Sequence, residues 1–468
     1  MNSIPTFAVI GHPNEGKSSV VSTLVEDDQI RISPMPGETV QSRTYPVTID
    51  GRAVVAFVDT PGFQNPVQTL GWMRLDNGAP DKLLDRFLAH FGGDPGMSHE
   101  CELMRPVAQG AGIIYVLDAS RPMRQVDRAE MEILRLTGRP RMAILNCKTG
   151  EEGFLDEWKA ELRKHFNMVR TFNAVGATFS ERIRLLESLR AMEQDWEHAL
   201  GRVVEAFVQD WKRRNAECAA LACDFLRRVL TLTETAVLQD RAAAQDLEKM
   251  LVSRLEERIR VEESRLHEQV CRLFRHSHFA FVLPEQSVLR QDLFSRTTWT
   301  VFGLGRSKLV TAAAATGGAA GLALDLATAS ISMGVFAAAG SVTAGLAAFF
   351  QGDRLARSRV LGKEVGQRLV EVGPLGTVQW IYILLDRFLL HYWYVANWSH
   401  ARRTTDLLPV DAGDGGKQGL TDAWPRQARG LCAEFFRALS GGKSADSLQL
   451  EVSMRRLLED ELERISSL

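Results

Sequence analysis

Hydrophobic and polar positions change their period once along the chain. Up to about residue 200, short apolar runs alternate with longer amphipathic stretches. Thr6–Ile10 (TFAVI), Val54–Val58 (VVAFV), Gly112–Asp118 (GIIYVLD), Arg141–Asn146 (RMAILN) and Val169–Ala174 (VRTFNA) are short apolar runs between polar stretches. Runs of this length predict strands, and continuous apolar character predicts strands covered on both faces. Helices are expected over Ser18–Val25, near Arg124–Leu136 and over Gly153–His165. Strand–helix alternation of this kind predicts an α/β domain: a mostly parallel sheet with helices on both faces.

From Gly201 onward the period is helical, with no further strand series, which predicts an all-α second half. Leu247, Leu251, Leu255 and Ile259 line one helical face, with Glu and Arg crowding the other. That helix either packs on its neighbours or pairs as a coiled-coil dimer. Residues 309–350 hold one charge, Asp325, and Leu326–Phe350 alone is 25 uncharged residues, enough to span a bilayer. Small residues recur four apart at Gly317/Gly321 and Ala337/Ser341/Gly345, which lets two helices approach closely. The segment reads as a Gly/Ala-rich helical hairpin turning near Asp325. It lies either in lipid, with its basic flanks on the cytoplasmic side, or in the core of a bundle. A carboxylate at mid-membrane costs roughly 2.5–3.5 kcal/mol on insertion scales, so Asp325 belongs at the wet turn. The aromatic stretch Leu375–Trp398 puts Ile381, Leu384, Leu385, Phe388, Leu389 and Tyr392 on one helical face. Its Trp and Tyr residues suit a membrane interface or, the better fit, a bundle core. The expected division is 1–200, 201–407, a flexible linker over 408–420, and C-terminal helices over 421–439 and 444–466 within 421–468.

Composition narrows this picture only modestly. The chain has 468 residues, 45% hydrophobic and 24% charged, with a net charge of −2. That size calls for more than one core, and the balance carries no nucleic-acid signature. The six cysteines form no CxxC pair, which fits a reducing compartment. MNSIPTFAVIGHP has no basic stretch followed by a long apolar run, so no secretory signal is expected. His276 and His278 lack a third candidate ligand and are expected to be surface residues.

The chemistry lies between the strands. Gly11-x4-Gly16-Lys17-Ser18 sits where the first strand meets the first helix, the context of a phosphate-binding loop. Its glycines let backbone N–H groups close around phosphate oxygens, Lys17 reaches the β and γ phosphates, and Ser18 holds Mg²⁺. Asp59-Thr60-Pro61-Gly62 follows the next strand, where a carboxylate can hold Mg²⁺ through water. Thr39, in the polar stretch SPMPGETVQSRTY, is a candidate γ-phosphate sensor.

Residues 5–200 resemble a translation-factor-class GTPase of the Era and TrmE type. GHPNEGKSS matches that group's GxPNxGKSS, DTPG its third motif, and PGET is similar to its second. The resemblance implies that Asn14 helps hold a K⁺ ion supplementing the charge of an arginine finger. Phe63 stands where Ras-like enzymes carry a water-orienting Gln, implying slow hydrolysis quickened by K⁺ or a partner. The candidate catalytic set is then Lys17, Thr39 and Asn14. The candidate nucleotide-binding set is Gly11, Asn14, Glu15, Gly16, Lys17, Ser18, Ser19, Asp59, Gly62, Asn146, Lys148, Asn173 and Ala174. Ser18, Thr39 and Asp59 are the Mg²⁺ candidates and Asn14 the K⁺ candidate. The second half, with its hairpin following FGLGRSKL, resembles the DUF3482 domain found in bacterial GTPases.

Two departures stand out. Asn146-Cys147-Lys148-Thr149 replaces the usual NKxD, so the carboxylate that pairs with guanine is missing. Glu151 or Glu152 could replace it, or both are solvated loop acids. Asn173-Ala174 stands for the usual SA. Phe63–Ala111 is longer than the group needs and reads as an inserted, mostly exposed segment, either a partner surface or a spacer. The expected function is a GTP-binding and GTP-hydrolysing switch, with GTP and GDP as ligands, on the cytoplasmic face of a bacterial inner membrane. A homodimer through either half is a further candidate. The rivals are an Era-type ribosome or RNA-assembly GTPase and a nucleotide-binding scaffold without turnover. No KH-like module or GXXG clamp is evident downstream.

Overall fold

The computed structural model describes residues 4–26, 41–49, 52–146, 153–174, 176–238, 244–274, 293–294, 356–362, 368–398, 419–441 and 447–466. The first half runs β1 (Thr6–Ile10), α1 (Lys17–Val25), β2 (Arg43–Ile49), β3 (Arg52–Asp59), α2 (Pro66–Leu75), α3 (Leu83–Phe91), α4 (Ser98–Ala108) and β4 (Gly112–Asp118). It continues with α5 (Gln125–Leu136), β5 (Arg141–Asn146), α6 (Leu155–Leu162), β6 (Met168–Thr171) and α7 (Phe179–Arg190). The sheet order is β2-β3-β1-β4-β5-β6, parallel except for β2. Both faces are buried, as continuous apolar strands require. Phe7, Val9, Phe57, Ile114 and Ile144 pack under α1, α7 and the start of the next helix. Their neighbours Ala8, Ile10, Ile113, Tyr115 and Leu145 face the opposite way, under α2 to α6. Every parallel strand therefore ends at the same edge, where the loops carrying the motifs converge.

Two expectations change in this half. Strand β2, absent from the expected strand series, begins within the polar stretch SPMPGETVQSRTY and extends because β3 pairs with it antiparallel. Residues 63–111 are not mostly exposed: one face of the segment is core and the other faces solvent. Leu83, Leu84, Phe87 and Phe91 bury one face of α3, and Leu103, Met104 and Val107 of α4 join the same core. Trp72 meets Phe87 and Phe91 edge-on, at 5.6 and 5.7 Å between ring centroids. The glycines and prolines that suggested a spacer mark the breaks between short helices.

The second half begins with α8 (Gln194–Leu230), 37 residues long and unbroken through residues 200 and 201. Then come β7 (Glu234–Leu238), α9 (Ala244–Leu273), β8 (Ala356–Gly362), β9 (Arg368–Leu375), α10 (Gln379–Ala396), α11 (Arg426–Gly441) and α12 (Ser447–Ser466). This half is mostly helical, as expected. The expectation of no further strands fails: β7, β9 and β8 form an antiparallel sheet in that order. Glu234 pairs with Val372, so the partner of β7 lies far along the chain and local periodicity carries no trace of it, while β8 and β9 pair as neighbours from Gly362 and Arg368. Leu251, Leu255 and Ile259 are buried in the bundle, in agreement with α9 packing on its neighbours. Helix α10 is its centre, with all six positions of the expected face buried. The aromatic stretch is thus core, with Tyr382 donating to the Arg429 carbonyl at 3.0 Å and Tyr392 to Asn215 Oδ1 at 2.7 Å.

No helix among the described residues is long and apolar enough to cross a membrane. The expected hairpin 309–350, His276, His278 and residues 408–418 of the expected linker lie outside the described residues.

A buried ionic junction joins the two halves. Glu26, the C-cap of α1, has φ of 55° and is 8% exposed. Its carboxylate accepts from Arg182 of α7 at 2.8 Å and from Arg214 of α8 at 2.7 Å. Arg214 also pairs with Asp210 at 2.5 Å. The ring stack Phe179–Trp211, at 4.1 Å, seals one side, and the Trp211 indole donates to Ser466 Oγ near the end of α12 at 3.1 Å.

Asp386 sits in mid-α10 with no exposure, and accepts from Thr421 N at 2.7 Å and Thr421 Oγ1 at 3.0 Å. Gly419 makes room, since a Cβ there would stand 2.0 Å from Asp386 Oδ2. Burial pushes the Asp386 carboxyl up to about 8 against the lowering effect of the two Thr421 hydrogen bonds. A folded-state value above the unfolded one means that the native state keeps a proton the unfolded chain releases. Its contribution to stability therefore falls as pH rises from about 4 to about 8, then levels. Asp386→Asn keeps the shape without the titration. Its advantage over the parent should grow by a few kcal/mol across that window, read as the melting-temperature difference at pH 5, 7 and 9. A difference independent of pH would contradict an ionising Asp386.

Candidate functional site

The loop from Gly11 to Lys17 leaves β1 and enters α1 at the sheet's C-terminal edge. Its path depends on residues that tolerate unusual geometry. A Cβ on Gly11 would lie 2.1 Å from the Val116 carbonyl oxygen of β4. Gly16 has φ of 99° and Asn14 φ of 65°, left-handed values that glycine and asparagine adopt at least cost. Lys17 opens α1, and its ammonium lies across its own loop, donating to the carbonyls of Gly11 at 3.2 Å and His12 at 2.9 Å. The first backbone N–H groups of α1 face the same side, so the loop mouth favours an anion.

The DTPG segment backs onto this loop. A Cβ on Gly62 would stand 2.6 Å from the Pro13 nitrogen, so only glycine permits the contact. Thr60 Oγ1 donates to the Val9 carbonyl at 2.8 Å. Ser18 Oγ donates to Asp59 Oδ2 at 2.7 Å. Asp59 Oδ1 is buried without a hydrogen-bond partner. Burial raises the Asp59 carboxyl above its usual range, opposed by the Ser18 hydrogen bond and by Lys17 and Arg43. A hydroxyl, a buried carboxylate and an unsatisfied carboxylate oxygen fit a hydrated hard divalent cation such as Mg²⁺. Phe63 is completely buried, and puts no polar group beside the loop.

On the other side, Asn146 Nδ2 donates to the Glu15 carbonyl at 3.0 Å, and Asn146 Oδ1 is buried without a partner. Ala174 is buried, and its carbonyl accepts from Thr23 Oγ1 of α1 at 3.0 Å. Asn173 is exposed beside it, with Oδ1 accepting from Gly176 N at 3.3 Å.

Two family descriptions match the chain. The description "50S ribosome-binding GTPase" matches residues 6–147, and "Domain of unknown function (DUF3482)" matches residues 159–464. The chain belongs to the DUF3482 family. Its first half is a P-loop GTPase domain. GTPase Der from Streptomyces coelicolor is 26% identical over 153 residues, 33% of this chain and 27% of that protein. The probable GTP-binding protein EngB from Dechloromonas aromatica is 29% identical over 160 residues, 34% of this chain and 61% of that protein. The chain thus spans about a quarter to three fifths of these relatives. Among solved structures, an Era variant from Aquifex aeolicus bound to GDP and AlF4⁻ is similar at 18% identity. That match covers 40% of this chain and 56% of that one, with a TM-score of 0.29.

In this DUF3482 protein the fold brings Gly11, Asn14, Glu15, Gly16, Lys17, Ser18, Asp59, Gly62 and Asn146 around one loop, whereas Ala174 meets Thr23 farther along α1. Ser19 is buried in the first turn of α1, its side chain turned into the protein. Thr39, Lys148, Glu151 and Glu152 lie outside the described residues. Sequence reasoning missed what holds the loop from behind. The Glu15 side chain is buried, accepting from Asp118 N and, at 2.8 Å, from Arg121 Nη2. Arg121 also grips Asp127 with two bonds of 2.8 Å, and its carbonyl accepts from Trp158 Nε1 at 2.7 Å. His12 Nδ1 lies 2.9 Å from Glu130 Oε1, and Tyr115 donates to Glu130 Oε2 at 2.9 Å. These partners lie about a hundred residues downstream. The available signal was an acid inside a loop meant for anions, which calls for a counter-charge.

Gly11→Ala drives a methyl group into the Val116 carbonyl and parts β1 from β4. It should cost at least about 2 kcal/mol. It should also abolish the rise in melting temperature that a bound nucleotide gives. Thermal unfolding with and without GDP checks both, and a full GDP-dependent rise in the variant would refute the packing argument.

Proposed function

We propose that this chain is a GTP-hydrolysing switch whose P-loop domain works the helical DUF3482 domain. The observation that carries this reading is Lys17 and Ser18 at the end of one glycine-shaped loop where a helix begins, with Asp59 at the end of β3 against Ser18. Lys17 and the loop N–H groups hold the β and γ phosphates. Ser18, Thr39 and Asp59 would hold Mg²⁺, which would supply charge neutralisation at the phosphates. Thr39 senses the γ-phosphate, and Asn14 serves K⁺. With Phe63 buried, no side chain at that position orients the attacking water, so turnover alone is slow. Asn146 keeps the guanine side of the site in place. The acid missing at Thr149 makes the preference for guanine over adenine less sharp than in relatives with NKxD.

Lys17→Ala should lose most affinity for GDP and GTP in calorimetric titration, and turnover with it. In the parent, turnover should be faster in K⁺ than in Na⁺ at equal ionic strength. Affinity for GDP should exceed that for ADP. Unchanged affinity in Lys17→Ala would remove the phosphate-loop assignment, and a preference for ADP would remove guanine.

The apolar stretch 309–350, with basic residues at both ends, supports attachment to the cytoplasmic face of a membrane. The full chain should float with anionic liposomes in a density gradient, and a chain lacking 309–350 should not. Recovery of the full chain only in the soluble fraction would eliminate the membrane. The description matching residues 6–147 favours a second reading, a ribosome-assembly GTPase. Co-sedimentation with ribosomal subunits in place of liposomes would select it.

A further inference from the structure

The phosphate loop of this protein contains an acid that works against its task. Glu15 immediately precedes Gly16-Lys17, is 4% exposed and keeps its carboxylate inside the protein. A negative charge there repels the phosphates that the loop is shaped to hold, and low local dielectric strengthens the repulsion. The structure shows how it is answered. One carboxylate oxygen takes the Asp118 N–H at the end of β4. The other takes Arg121 at 2.8 Å. Arg121 is held on three sides. Asp127 grips its guanidinium with two bonds of 2.8 Å, Trp158 bonds its carbonyl at 2.7 Å, and the guanidinium carbon lies 5.5 Å from the Trp158 ring centroid. Asp127 is itself anchored by the Arg124 N–H at 2.7 Å at the start of α5. Arg121 is therefore a fixed charge, held in place by groups that take no part in the loop.

We propose that Arg121 is a positioning residue for nucleotide binding: it neutralises the buried Glu15 carboxylate and so holds the phosphate loop open to anions. The proposal rests on the GTPase reading above. It adds a residue outside every motif to the determinants of affinity. The same contact ties both sides of the site together, because the Glu15 carbonyl carries Asn146 while its carboxylate carries Arg121.

Removing Arg121 alone leaves the Glu15 carboxylate without its cationic partner, whereas Asp127 keeps Arg124 at 3.5 Å. Affinity should then fall in proportion to the charge on the ligand. Arg121→Gln should lose roughly tenfold or more for GTP, less for GDP, and little for guanosine. A role in packing alone would weaken all three equally. Arg121→Lys keeps the charge and should recover much of the loss. The double variant Glu15→Gln, Arg121→Gln removes the repelling charge together with its partner, and should recover most of the GTP affinity. The measurement is calorimetric titration of the full chain with the three ligands at fixed Mg²⁺ and ionic strength. Thermal unfolding of each ligand-free variant guards against loss of fold. A loss equal for all three ligands overturns the proposal. So does a GTP loss that persists in the double variant, which would mean that Arg121 acts on the phosphates directly. Lys17→Ala separates the two levels: if it binds GTP as the parent does, the GTPase reading fails. If it does not, and Arg121→Gln still binds normally, only the role of Arg121 fails.

Discussion

The close passage of backbone against backbone at the C-terminal edge of the sheet governs the rest of the molecule. Gly11 lies on the Val116 carbonyl and Gly62 on the nitrogen and ring of Pro13, so two motif loops and strand β4 touch with no side chain from either glycine between them. Only such contact lets the N–H groups at the start of α1 converge on one point, with Lys17 above them and Ser18 beside Asp59. The burial that brings these loops together also desolvates Asp59 and raises its carboxyl, against the Ser18 hydrogen bond and the charge of Lys17.

Helix α1 makes that edge matter to the whole chain. Its first residue is Lys17, and Glu26 caps its other end between Arg182 and Arg214. A buried carboxylate with two guanidinium partners is costly to break, because removing one member strands the others. Arg214 belongs to α8, which runs on into the bundle and packs against α12. A rigid element therefore connects the phosphate loop to the DUF3482 half. The sheet also meets α8 directly, through Phe7 of β1 against Trp196 and through Leu200 and Val203 in the same core.

The bundle is ordered by the same logic of buried polar groups with fixed partners. Helix α10 carries Asp386, Arg387 and His391 among its aromatics, and each is held. Asp386 meets Thr421, Arg387 pairs with Glu263 at 2.5 Å, and His391 lies 3.3 Å from the His267 carbonyl. Burial drives His267 down to about 3 and His391 below its usual range, so both stacked rings remain neutral. Apolar burial alone would leave the rotation of such a helix loosely specified, and these pairings give it one register.

Much of the first half was legible because its signals are local. TFAVI, GIIYVLD and RMAILN announce buried strands by their own composition, and Gly11-x4-Gly16-Lys17-Ser18 carries its chemistry in its spacing. The helical face of α9 was equally legible, since Leu251, Leu255 and Ile259 share it through the period of the helix itself. Much of what stayed hidden depends on partners distant in the chain. Strand β7 extends because β9 lies beside it, and residues 63–111 bury themselves because the sheet offers a face to cover. The Glu15 carboxylate turns inward because Arg121 is waiting there. Sequence by itself determined the buried strands of the parallel sheet and the phosphate-loop motif between β1 and α1, because backbone propensity and residue spacing act over a few residues. Tertiary structure alone decided where the buried charges are answered, because an ion pair depends on distance in space and leaves no period in the chain.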